Sequence, residues 1–421
     1  MQKSKVKMGI YVSWFILSLF YLYQYILRIS PGVLIDEIRR DFHINADEFA
    51  LFGSLFYAGY SLMQIPIGVL MDKVGIRKTT LFSIALCVCG TFLLISTDDP
   101  VVAYVSRLIA GIGAASSFMS ILKLSNDYMP ANIRGIAIGA ALTAGSIGAL
   151  ITGAPLNYLL EHVSSWQVAF GTFVGLGAII WVFAMFCLPK QQKDAKATEV
   201  KNDGRSIKDN LMKILKSKPI MIYAIIAVGL YAPLSVMGDL WGTSFLIKKF
   251  SMNRGEASSV LMNIYIGMAI GSIILPYLAE KYNILNKIIL FSIVILLALF
   301  IVLIYVPHLN QVHLLSLILL IGFFCGAETL CFNAALRYTD SHTSGLTIGV
   351  VNTLNMAGGA IMQQAIGVYL DATWQGSLDI NGLRIYSLQE FVEAFSILVI
   401  ILFICAIIAC TALSKNKKFG I

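Results

Sequence analysis

The sequence predicts an all-α membrane protein, with twelve transmembrane helices arranged as two six-helix bundles. Three observations carry that reading. The 421 residues are 58% hydrophobic and 13% charged, with a mean hydropathy of +0.80, whereas soluble domains carry roughly 25% charged residues. Apolar windows of about 18 residues or more recur from end to end, each long enough to cross a bilayer as a helix. The basic residues between those windows alternate in abundance.

That alternation sets the topology. Of 31 Lys and Arg, 22 fall in segments that alternate onto one side: Lys3, Lys5, Lys7, Lys73, Arg77, Lys78, Arg134, nine between Lys190 and Lys218, Lys281, Lys287, Arg337, Lys415, Lys417 and Lys418. Arg39, Arg40, Lys248, Lys249, Arg254 and Arg384 lie on the other side; Arg28, Arg107 and Lys123 fall inside apolar spans. The bias places both termini in the cytoplasm. The net charge of +8 is therefore topogenic, and nucleic acid is excluded as a partner.

Span 1 covers about 9–38 and is interrupted by Pro31-Gly32; an acidic stretch from Asp36 to Glu48 faces outward. Span 2 covers about 49–71, span 3 about 79–96, and the chain turns outside at Asp98-Asp99-Pro100. Spans 4 to 6 follow at about 101–126, 135–160 and 166–188. Residues 189–218 form a cytoplasmic linker rich in lysine, partly an amphipathic helix on the lipid headgroups. Spans 7 to 12 lie at about 219–247, 257–279, 287–306, 312–336, 345–369 and 391–413. The domains are thus residues 1–188, a linker at 189–218, and 219–421. Lys3 to Lys7 before an apolar run resembles a signal peptide, but the run is long and lacks a small-residue cleavage site, so it reads as span 1. All seven cysteines sit in apolar spans without zinc or disulfide spacing, as packing residues. No metal, cofactor or enzymatic residue set emerges, and the five histidines show no ligand spacing.

The halves read as copies. Arg134-Gly135-Ile136-Ala137-Ile138-Gly139 parallels Ser344-Gly345-Leu346-Thr347-Ile348-Gly349, and Asp72-Lys73 falls opposite Glu280-Lys281. Two parallel repeats imply an axis along the membrane normal and a solute site between the bundles at mid-depth.

The hairpin after span 2, Gly68-x-x-x-Asp72-x-x-Gly75-x-Arg77-Lys78, resembles the signature of the major facilitator superfamily. Arg107-x-x-x-Gly111-x-Gly113 and Ser165-Trp166-Gln167-x-Ala169-Phe170 are similar to that superfamily's helix 4 and helix 6 motifs. The second-half counterpart is degenerate, with Pro276 for Gly68 and Asn283 for Gly75. The resemblance implies a major facilitator fold and a gating set of Gly68, Asp72, Gly75, Arg77, Arg107 and Arg134. Asp72 is expected at the start of span 11 near Gly345, where a helix N-terminus favours an anion. Trp241-Gly242-Thr243-x-Phe245-Leu246 and Gly349-x-x-Asn352-x-x-Asn355-Met356-x-Gly358-Gly359-Ala360-x-x-Gln363 look like a branch containing phagosomal amino-acid transporters of intracellular bacteria and lysosomal dipeptide transporters. Tyr25-x-x-Arg28-x-Ser30 instead resembles organic-anion and sugar-acid symporters, whose helix 1 arginine holds a carboxylate; Leu27 stands where those symporters commonly have an acid.

Ionisable groups inside the bilayer cost on the order of 2.5–3.5 kcal/mol and so need a partner or a watery cavity. Arg28 is expected to bind a substrate carboxylate, whose two oxygens a planar guanidinium can hold at once, with Tyr25 one turn below. Glu328 lies roughly 24 Å into span 10 at about 1.5 Å per residue, and Asp239 follows Pro233 in span 7, where a broken helix can line a cavity. Both are candidates for proton coupling or for meeting a substrate amine. Tyr57, Trp241, Asn352 and Asn355 complete the substrate-binding set, the two asparagines sharing a face at i, i+3. Lys123 reads as a snorkelling lysine. Tyr60, Gln64, Asn126, Asn333, Gln363 and Gln364 are further cavity candidates. The expectation is a monomeric secondary transporter in a bacterial inner membrane. It would move an amino acid or dipeptide by alternating access, with protons as coupling ion; the alternative is a proton-coupled organic-anion or sugar-acid symporter.

Overall fold

The computed structural model describes residues 2–189, 207–340 and 343–414. Among the described residues, twelve helices are long and apolar enough to cross a membrane. In chain order these spans are Gly9–Val33, Ala46–Met71, Ile76–Ile95, Pro100–Tyr128, Gly139–His162, Trp166–Cys187, Lys218–Phe250, Arg254–Lys281, Leu285–Tyr305, Gln311–Leu336, Ser344–Thr373 and Leu388–Leu413. The calls on Lys190 to Ser206, His342 and Lys415 to Lys418 lie outside the described residues.

Local chemistry sets the ends. Asp99 accepts the Val101 amide at 2.8 Å with Pro100 at the first helical position, so the expected outer turn starts span 4. Asn253 and Glu256 form a reciprocal capping box at span 8, and Asn310 caps span 10. Gly75 joins spans 2 and 3 at φ 91°, a conformation a Cβ resists. Span 1 stops at Val33, short of the expected residue 38. Leu34 leaves helical geometry at φ −106°, ψ 21°, and residues Ile35–Phe42 form a separate short helix. Pro31 cannot supply an amide to the preceding turn, which weakens the helix just before that end.

The chain packs as two units. Unit 1 is Met1–Ser30 with Leu55–Asp203, and unit 2 is Pro31–Ser54 with Gly204–Ile421. The outer hairpin that joins spans 1 and 2 therefore packs among the C-terminal helices. A Cβ on Gly32 would meet the Asp239 carbonyl at 2.6 Å, Gln364 donates to the Asp47 carbonyl at 3.1 Å, and Arg254 pairs with Glu37.

Within each unit the repeat is visible atom by atom. In unit 1, spans 2 and 4 touch backbone to backbone: a Cβ on Gly111 would lie 2.1 Å from the Phe56 oxygen, and one on Gly59 2.5 Å from the Leu108 oxygen. In unit 2, a Cβ on Gly322 would lie 1.8 Å from the Ile264 oxygen, and one on Gly267 2.0 Å from the Leu319 oxygen. The four positions correspond at offsets of 208 (56 to 264, 59 to 267) and 211 (108 to 319, 111 to 322). Both long spans are interrupted at matching places, span 4 at Ala115 and span 10 at Gly326-Ala327.

Span 7 is the most irregular. Its α-helix ends at Pro233, gives way to a π-helical stretch over Leu234–Trp241, and resumes at Gly242. Proline lacks the amide an α-helix needs there, and the wider turn absorbs the fault.

Candidate transport site

Unit 1 holds two buried arginines. Arg28 is 7% exposed and Arg107 3%. The Arg28 guanidinium lies over Tyr25, 4.0 Å from the ring centroid, and 5.7 Å from that of Tyr57. Cation–π contacts of this kind compensate part of the lost hydration. Tyr21, one turn before Tyr25, packs edge-on to it with centroids 5.1 Å apart and hydroxyls 3.3 Å apart. Arg107 donates from Nη1 to the Leu27 carbonyl at 2.8 Å and lies over Phe56. It thus grips the peptide that leads into Arg28.

Unit 2 holds buried carboxylates. Glu328 opens the second segment of span 10, 6% exposed, and Asn355 of span 11 donates Nδ2 to its Oε1 at 2.5 Å. Asp239 lies in the π-helical stretch, 1% exposed, and accepts the Tyr265 hydroxyl of span 8. Trp241 donates its indole N–H to the Gln363 carbonyl at 3.1 Å. Gln363 returns a bond from Nε2 to the Ser235 carbonyl at 2.8 Å, and the Ser235 hydroxyl donates to Gly359 at 3.1 Å. Gly359 and Gln363 therefore sew span 11 to the irregular part of span 7, and Asn355, one turn earlier, ties the same helix to span 10. Asn352 is half-buried one turn earlier. Of the two asparagines expected to act together, Asn355 holds the carboxylate.

The remaining sites are dispersed. Lys123 pairs with Asp127 at 3.4 Å, both partly exposed. Arg77 donates to the Met185 carbonyl at the end of span 6, and Arg134 to the Met129 carbonyl at 2.8 Å. Gly68 faces Met119 at 3.7 Å. The Asp72 side chain lies outside the described residues, so its expected meeting with span 11 does too. Sequence reasoning missed Tyr265, whose pairing with Asp239 joins different spans and leaves no local signature. Tyr21 had one: its i, i+4 spacing to Tyr25 puts both rings on one face.

Among the described residues, twelve apolar helices long enough to cross a bilayer, with ionisable groups buried inside each unit, define a multi-pass membrane protein. The Major Facilitator Superfamily model matches residues 13–362, and the chain belongs to that family. It is 30% identical over 189 residues to the uncharacterized transporter YybO of Bacillus subtilis (44% of this chain, 42% of that one). It is 27% identical over 293 residues to a quinolone resistance transporter of Acinetobacter baumannii (63% and 66%). To a hexuronate transporter of Bacillus subtilis it is 26% identical over 271 residues (61% and 62%). The chain thus spans less than two thirds of the length of each of these relatives. Among solved structures, a bacterial homolog of the human lysosomal transporter Spinster, inward-facing and unoccupied, superposes with a TM-score of 0.78, 15% identity and 98% of each chain covered. That likeness concerns the fold.

Proposed function

We propose that the protein is a secondary transporter that moves a small carboxylate-bearing solute, a sugar acid or related organic acid, across the membrane by alternating access. One observation carries the proposal. The interior of unit 1 buries Arg28, 7% exposed, with its guanidinium stacked on the face of Tyr25. A desolvated guanidinium is suited to two parallel hydrogen bonds with a carboxylate. Similarity to a hexuronate transporter supports the same class. In this reading Arg28, Tyr25 and Tyr57 take the anion, Glu328 or Asp239 takes a coupling proton, and Trp241, Asn352 and Asn355 complete the substrate-binding set. Gly68, Asp72, Gly75, Arg77, Arg107 and Arg134 govern the change of state. The protein works as a monomer in a bacterial inner membrane with both termini cytoplasmic.

A second reading, transport of an amino acid or dipeptide, is favoured by the buried Glu328 and Asp239, either of which would receive an amine. Uptake of labelled glucuronate into proteoliposomes, with competition by unlabelled acids, tests both. The sugar-acid reading expects saturable glucuronate uptake that amine-free acids inhibit and that Arg28→Gln abolishes. Uptake of amino acids or dipeptides alone would establish the second reading. Flux of neither class would remove both.

A further inference from the structure

Span 5 meets span 1 at two glycines that differ in what a side chain would strike. A Cβ on Gly148 would lie 2.3 Å from the Leu22 carbonyl oxygen, which is backbone. A Cβ on Gly145 would instead meet two rings, lying 2.6 Å from Cε1 of Tyr21 and 2.9 Å from Cε2 of Tyr25. Gly139, further along the same helix, has nothing within 4 Å.

Of those two rings, Tyr25 lies beneath Arg28, and Tyr21 packs edge-on against Tyr25. Tyr21 and Tyr25 are both buried, pack edge to face, and Tyr21 is closed in from span 4 by Phe118 at 5.4 Å. Aromatic side chains move as rigid plates, so a Cβ at Gly145 displaces each ring it meets as a whole. We propose that Gly145 is a positioning residue for Arg28: the missing Cβ fixes where Tyr21 and Tyr25 stand, and Tyr25 fixes the guanidinium above it. The inference rests on the reading of Arg28 as the carboxylate-binding group. A two-point guanidinium–carboxylate contact depends on angle, so displaced rings reach the substrate through Arg28 while the helices stay in place.

The test uses the full-length protein and two readouts. One is KM and Vmax for glucuronate in proteoliposomes. The other, which needs no substrate, is the rate at which phenylglyoxal modifies Arg28 in purified protein, measured by peptide mass spectrometry. Gly145→Ala is expected to raise KM about tenfold with Vmax within about twofold, the scale of one misplaced charged hydrogen bond, and to change the Arg28 modification rate several-fold. Adding Tyr21→Leu to Gly145→Ala should return both part of the way, and Gly139→Ala should change neither. An unchanged Arg28 modification rate in Gly145→Ala, or a loss of Vmax alone that Tyr21→Leu leaves in place, would overturn the proposal. Should Gly145→Ala fail to fold, the pair Gly145→Ala/Tyr21→Leu is compared with Tyr21→Leu, the 2.9 Å clash with Tyr25 remaining; equal modification rates would again overturn it. If the wild type takes up no glucuronate, the sugar-acid reading fails by itself, and the modification arm still decides the role of Gly145.

Discussion

The backbone amide of Asp47, in the first turn of span 2, donates to Oδ2 of Asp371 at the far end of span 11, at 2.7 Å. The other oxygen of Asp371 accepts from the Tyr386 hydroxyl and from Arg384 at 3.1 Å. Burial, reinforced by Asp371, pushes the Tyr386 hydroxyl above the usual phenol range, which keeps it a donor. Tyr386 also accepts the Ala46 amide at 3.2 Å, and Arg39 donates to the Arg384 carbonyl at 2.9 Å. A carboxylate at the start of span 2 also suits the partial positive charge of that helix end.

Asp371 therefore seats the 31–54 hairpin on the C-terminal helices. Asp371→Ala is expected to lower stability by about 1–3 kcal/mol, because it strips three donors of one acceptor. Tyr386→Phe should cost less, about 1 kcal/mol. Thermal unfolding in detergent gives the order, and hydrogen exchange over residues 31–54 should rise in Asp371→Ala. Unchanged exchange there would mean that the hairpin is held by packing alone.

Asn355 supplies a donor to a buried carboxylate. Asn355→Leu is expected to destabilise by about 2 kcal/mol, the scale of a hydrogen bond to a charged group, and Glu328→Gln should recover part of that loss in the double variant. A double-mutant cycle on unfolding midpoints reads the coupling. Additive losses would show that the pair contributes nothing as a pair.

Arg107 holds the Leu27 carbonyl through one arm of a rigid fork. Arg107→Lys keeps the charge but loses that geometry, and we expect initial uptake rates to fall about tenfold at equal protein levels. Uptake equal to wild type in Arg107→Lys would show that the charge alone suffices.

The backbone crossings of spans 2 with 4 and 8 with 10 leave no space for a methyl group. Gly111→Ala and Gly322→Ala, at 2.1 and 1.8 Å from facing carbonyl oxygens, should each cost more than about 3 kcal/mol, beyond the usual range for overpacking. Gly345→Ala, with nothing within 4 Å, should fall within about ±0.5 kcal/mol. Monodispersity after detergent extraction, followed by thermal unfolding, separates the two outcomes.

Hydropathy, turns and backbone chemistry made much of the fold legible in advance. Asp98-Asp99-Pro100 ends one span and caps the next because proline and a short acid suit a helix start. Gly75 marks the hairpin between spans 2 and 3 because its φ demands glycine. Arg28, Asp239 and Glu328 stood out because a charge within an apolar run is costly. What they touch was not legible. The bonds of Tyr265 to Asp239 and Asn355 to Glu328 join spans at separations of 26 and 27 residues, and no local pattern encodes them. Pro233 announced a fault in span 7, yet nothing in Leu234–Trp241 specifies a π-helical turn over a simple kink. The end of span 1 was placed too late because Val33 to Ile35 are apolar enough to continue it, while the backbone turns at Leu34.

Spans 4 and 10 are interrupted at corresponding residues, and around Gly326-Ala327 the amides tighten to bonds three residues back, as from Ala327 to Phe324 and Leu330 to Ala327. A rod jointed midway can flex there without unpicking its ends. Each unit thus has an elbow at a corresponding residue, but only the one in unit 2 carries an acid: Glu328 stands where unit 1, at an offset of 211, has Ser117.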